Sequence, residues 1–260
     1  MRYLSLLLIF FGCLLSSTLF AQTPRRIVED DLAKSFKRID YWFQQRDKDN
    51  TGAWTDSLQS ANDAFAKKLQ YYTSKYLPTI YSLYNLEPLG VNINTSSDEL
   101  FRIYSWDTWT GGTQHFFENV FQYQLGTKTV SVIDTPKSEG YANYQKVYTF
   151  KANGKSYYMG VYLFIESSKY AGNDIHVFTI ENGELISPKL IKTHSGLHND
   201  LSYEYDFGSV VNIDYEKRPR PHFDEKAKII YLPLVDGNGQ VTKRFILYKF
   251  TGQYFERVKN

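Results

Sequence analysis

The sequence predicts an α+β protein: an N-terminal antiparallel helical hairpin packed on a mainly antiparallel β-sheet domain. Two apolar stripes with helical spacing occupy the N-terminal part of the chain. From Leu100 onward the apolar period changes to two. Tight turns such as Asn153-Gly154 and Asn182-Gly183 separate the alternating runs, and such short connections join antiparallel neighbours.

The first element is an export signal. Arg2 is the sole charge ahead of the apolar run Leu6–Phe11, and the segment ends Leu19-Phe20-Ala21-Gln22. That pattern predicts a signal peptide over 1–21, removed after Ala21 and leaving a periplasmic or extracellular protein. Ser16, Ser17 and Thr18 interrupt the apolar character, which argues against a retained anchor and predicts no membrane span in the mature chain. The only cysteine, Cys13, falls inside the signal, so a disulfide framework and a multi-cysteine metal site are both excluded.

The helical hairpin and its linker follow over 22–99. Val28, Leu32, Phe36, Ile39 and Phe43 form one stripe; Leu58, Ala61, Phe65, Leu69, Tyr72 and Tyr76 form the second. Asp56, with Gln59 three residues later, reads as the second helix's N-cap, and Pro78 marks its end. Asp47-Lys-Asp-Asn-Thr-Gly between the helices resembles the start of a calcium loop. Leu58 stands where the closing bidentate Glu is required, so no metal is expected there.

Residues 100–260 form the β domain, as a sandwich or curled sheet with propeller-like hairpin repeats as a variant. Strands are expected at 100–106, 115–123, 128–134, 144–151, 156–166, 174–180, 184–192, 209–214, 228–235, 243–250 and 253–258, runs rich in Tyr, Phe, Val and Ile. The hairpin beginning at Asp174 resembles the one beginning at Arg244, each an apolar strand, a Gly turn and a returning strand.

Composition narrows the function classes. Over 260 residues, 42% hydrophobic and 22% charged content excludes a disordered chain, and a formal charge of +2 gives no basic excess for nucleic acid. Aromatic content is high at 17%. Phosphate-cradling and dinucleotide-binding Gly motifs are absent, as is His-Glu-x-x-His, and no cofactor is expected.

The segment Tyr104–Glu118 holds the candidate ligand-binding residues Trp106, Asp107, Trp109 and His115, beside Gly111-Gly112. Flat rings meet the apolar faces of a sugar, and carboxylate or imidazole groups bond its hydroxyls. A hydrolase would need a carboxylate pair at defined separation, for which Asp107 and Glu118 are the candidates. His194-Ser-Gly-Leu-His198 reads as a polar loop. Lys217-Arg218-Pro219-Arg220-Pro221-His222 reads as a basic connection able to meet a carboxylate or phosphate group.

With the Leu-Phe-Ala-Gln signal end, the segment Arg102–Thr113 and the aromatic hairpins with Asn-Gly turns, the chain resembles uncharacterised secreted proteins of the Bacteroidota type. The resemblance implies export and carries over no activity, fold or site residues. The leading expectation is an exported, non-enzymatic binding or interaction module with a glycan or cell-envelope component as ligand. The alternative is a carbohydrate-acting hydrolase; a third class is a structural envelope protein without a small ligand.

Overall fold

The computed structural model describes residues 25–48, 51–134, 142–214 and 217–259. The expected signal segment and Cys13 lie outside the described residues, as do Asp49 and Asn50 of the calcium-loop-like stretch.

Two helices, α1 over 25–44 and α2 over Ala53–Lys75, form the expected hairpin. Val28, Leu32, Phe36 and Ile39 from α1 meet Leu58, Ala61, Phe65 and Leu69 from α2 in one core. The expected N-cap is displaced: α2 starts after Gly52, whose φ of 79° suits a residue without Cβ, and no side chain caps it. Asp56 lies inside the first turn instead, where its charge favours the helix dipole. Leu58, at the calcium loop's closing position, is fully buried between the helices. Helix α2 stops at Lys75, and Pro78 enters a separate 3-10 turn, Leu77–Tyr81.

The β-strands build three open sheets. The first has the order β1-β2-β3-β4, from β1 (Asn92–Thr95), β2 (Phe101–Asp107), β3 (Phe117–Leu125) and β4 (Lys128–Asp134), all antiparallel. The second contains β5 (Asn143–Ala152), β6 (Lys155–Ile165), β7 (Tyr170–Glu181) and β11 (Asp200–Asp206), in the order β11-β7-β6-β5, with β8 (Glu184–Ile186) also on β7. The third contains β9 (Ile191–Thr193), β10 (Gly196–His198), β12 (His222–Asp224), β13 (Ile229–Val235), β14 (Val241–Phe250) and β15 (Phe255–Arg257), in the order β10-β9-β15-β14-β13-β12. Its β15–β9 pair is parallel, with Phe255 opposite Ile191.

The layers stack as helices, first sheet, second sheet, third sheet, because alternation gives each inner sheet two apolar faces. Tyr104, Trp106 and Val120 of the first sheet join the helical core. Phe101, Ile103, Phe121 and Tyr123, pointing the other way, pack on Tyr144, Tyr158 and Phe178 of the second sheet. The second sheet's opposite face, with Phe150, Met159, Val161, Ile175 and Val177, packs on Ile230, Leu232 and Phe255 of the third. Arg102 points to the helical side and is fully buried. Its Nη1 donates to the carbonyls of Thr79 at 2.9 Å and Ser82 at 2.5 Å, and Tyr84 lies over the guanidinium, so the arginine fastens the 3-10 turn to the sheet.

Several strand expectations need correction. Residues 209–214 are not a strand: a 3-10 turn, Phe207–Ser209, opens that stretch, and the strand is β11 just before it. There Leu201, Tyr203 and Tyr205 alternate with polar residues. The expected 184–192 strand is two, β8 and β9, serving different sheets and separated by Pro188. Strand β1 falls in the expected linker and pairs with β2, so the hairpin and β domain share a core. Both Asn-Gly turns have positive φ at each residue, as tight antiparallel hairpins require. Among the described residues, no helix is long and apolar enough to cross a membrane.

Candidate functional site

Structure divides the 104–118 cluster among different roles. Trp106 is 1% exposed, packs edge-on against Phe65 with ring centroids 4.9 Å apart, and donates its indole N–H to Asn62 Oδ1 at 3.1 Å. It belongs to the core and offers no platform to a ligand. Trp109 is half-buried and stacks on Phe43 of α1, centroids 4.7 Å apart. Its backbone sits at φ 58°, an unfavourable region for a bulky residue, and Asp107 Oδ1 holds it by accepting the Trp109 N–H at 2.8 Å. The other carboxylate oxygen meets His115 Nδ1 at 2.5 Å. Asp107 and His115 therefore close the β2–β3 loop, and both oxygens of the acid are engaged there.

Asp107 and Glu118 do not converge. Trp106 pairs with Glu118 and Asp107 with Phe117, so alternation places the two carboxyl groups on opposite faces of the first sheet. Glu118 faces the helices, where burial, with a smaller contribution from Asp63, pushes its carboxyl up to about 7; its Oε2 is buried without a hydrogen-bond partner. The expected carboxylate pair is thus a loop lock on one face and an interface acid on the other.

A concavity lies elsewhere, where the edge strands of all three sheets converge. It is a cleft of about 820 Å³ between β1, β5, β12 and the connection at 218–221. Among the described residues, Asn92, Asn94 and Gln145 supply amides, Tyr148 and Phe245 supply rings, Lys146, Arg218 and Arg220 supply cations, and Glu87 supplies an acid. A β-bulge between Tyr144 and Lys146 inserts Gln145 and re-aims the strand at this point. Asn92 donates to Asn143 Oδ1 at 2.6 Å and Asn94 to the Tyr144 carbonyl at 2.9 Å, fixing the first sheet's edge on the second. Arg218 Nε donates to the Ile213 carbonyl at 2.9 Å, which orients its guanidinium. Burial raises the Tyr148 hydroxyl above its ordinary value, while the Phe223 backbone and the Arg220 charge act against that rise. His222 is exposed and stacks on Tyr231, centroids 4.6 Å apart.

The basic run at 217–222 is visible in the sequence, whereas its partners on β1 and β5 are not. Asn92, Asn94 and Gln145 carry no motif, and only the stacking of three sheets brings them to the run. The polar loop at 194–198 forms a small exposed hairpin in which Ser195 Oγ lies 2.9 Å from His198 Nε2.

Comparison of the chain with protein-family models, with curated proteins and with solved structures finds no match.

Proposed function

We propose that this chain is an exported, non-enzymatic binding module whose ligand is an acidic glycan or cell-envelope component that docks in the cleft along the three sheet edges. One observation carries the reading: Lys146, Arg218 and Arg220 share that cleft with three amide side chains and two aromatic rings, against one lining acid among the described residues. Guanidinium groups bind carboxylate or phosphate in bidentate fashion, amides exchange hydrogen bonds with hydroxyls, and rings cover apolar sugar faces. The volume falls within the range of about 300–1,000 Å³ usual for small-ligand sites. The opposite-face arrangement of Asp107 and Glu118 gives the hydrolase alternative no support.

Calorimetric titration of the mature protein with polygalacturonate and with neutral dextran tests the reading. Saturable binding of the acidic polymer, weakened several-fold in Arg220→Ala and Lys146→Ala and by added salt, is the expected result. Equal binding of dextran, or acidic-polymer binding unchanged in both variants, would overturn it. Export is tested separately by intact mass from the native host: loss of residues 1–21 supports it, and a full-length mass in the membrane fraction opposes it.

A further inference from the structure

A second cleft, of about 770 Å³, opens on the third sheet between β14 and the ends of β9 and β15. It exists because β15 pairs only with Tyr248–Phe250, so β14 runs on past the end of its neighbour. Lys192, Arg244, Arg257 and Lys259 line the gap, and among the described residues Glu256 is its acid. That acid is already engaged: Lys192 Nζ meets Glu256 Oε1 at 2.8 Å and lies over the Tyr254 ring. Arg244, Arg257 and Lys259 are exposed, and among the described residues none of the three has an ion pair.

This cleft is continuous with the basic cleft at the sheet edges, because Phe245 lines both. The register places Phe245, Leu247, Tyr231 and His222 on one face of the third sheet, opposite to Phe223 and Ile230, which pack on the second sheet. On that outer face the rings meet. His222 stacks on Tyr231 and packs edge-on against Phe245 with centroids 5.3 Å apart, and Tyr231 meets Phe245 at 6.1 Å. A ligand leaving Arg220 therefore crosses an aromatic step and reaches a second group of cations.

Each cleft by itself has the volume of a small-ligand site. A single acidic sugar fills one and leaves the cations of the other uncompensated. A chain of linked acidic units engages both, and its second contact forms within a complex already made. The aromatic step between them suits the apolar faces of the intervening sugars. A formal charge of only +2 over the whole chain favours a saccharide over nucleic acid, which selects a broad basic field.

We infer that the basic cleft at the sheet edges continues across Phe245 into the cleft beside β14, and that the ligand is a polymeric acidic saccharide held along both. This rests on the function proposed above and narrows its ligand from an acidic glycan to a polymer.

The test titrates the full mature protein calorimetrically with galacturonate oligomers of two and twelve units. The dodecamer should bind at least about tenfold more tightly than the dimer, a modest gain for a second linked contact. The double variant Arg244→Ala/Arg257→Ala should remove most of that gain and leave dimer binding unchanged, whereas Arg220→Ala should weaken both oligomers. The two arginines are exposed and unpaired, so their removal leaves the fold intact. A length gain that survives the double variant would come from one site sliding along a longer chain, and would overturn the inference while the proposed function stands. No binding of either oligomer would remove both readings. Tighter binding of a twelve-unit oligothymidylate than of the dodecamer would overturn the inference in favour of nucleic acid.

Discussion

The Trp106 indole nitrogen donates to Asn62 Oδ1 at 3.1 Å, and the Asn62 amide in turn donates to the carbonyls of Leu58 at 3.0 Å and Thr108 at 2.9 Å. One fully buried asparagine thus ties α2 to β2 and to the start of the loop that follows it. Asn62→Ala should cost about 1–3 kcal/mol, because the Trp106 N–H and the Thr108 carbonyl lose a partner in a dry site. Urea denaturation measures the loss. The double variant with Trp106→Phe should lose less than the sum of the two singles.

Phe65 touches both Phe36 and Trp106, with ring centroids 5.0 and 4.9 Å away, and is fully buried. Truncation removes the ring that joins hairpin to sheet, so Phe65→Ala should destabilise by about 3–5 kcal/mol in the same assay. A loss below about 1 kcal/mol would contradict the packing described above.

Glu118 makes stability depend on pH. Its ordinary value is 4.5, and burial pushes it up to about 7 in the fold. The folded state therefore binds the proton more tightly than the unfolded chain does. The protonated carboxyl's contribution is fully present below about pH 4.5 and is lost as pH rises through about 7. Glu118→Gln removes this dependence. The stability difference between variant and wild type should grow in favour of the variant across that window and stay flat above it, as followed by chemical denaturation at a series of pH values.

Gly160 leaves no room for a side chain, with Tyr144 ring atoms 2.6 and 2.8 Å from where a Cβ would stand. Gly160→Ala should cost about 1–3 kcal/mol by overpacking. In a Tyr144→Ala background the same substitution should cost much less, and thermal unfolding of the four proteins closes the cycle.

The fold was legible where one periodicity dominates. Both helical stripes and most hairpins are visible because their buried faces repeat at 3.6 or 2 residues and Asn-Gly turns punctuate them. Strands β1, β10 and β12 are short and carry little alternation, so nothing local marks them. The candidate site was less legible. The Trp106–Asp107–Trp109 cluster carries the residue types of a ligand surface, but β2 is buried on both faces and turns that chemistry inward. Asn62, Gln145 and Gly160 matter through neighbours distant in sequence, which a reading of one chain segment at a time does not supply.

The parallel pairing of β15 with β9 has a kinetic consequence. Lys192 and Glu256, joined across that pair at 2.8 Å, are 64 residues apart in sequence, and among the described residues the β9–β10 hairpin has no other strand neighbour in its sheet. The free edge of β9 is therefore unpaired until a much later stretch of chain returns to it. Closing so long a loop is costly before any contact rewards it, and such non-local topology slows folding. The third sheet is expected to assemble last, leaving the inner face of the second sheet, with Met159, Ile175 and Val177, transiently uncovered during refolding.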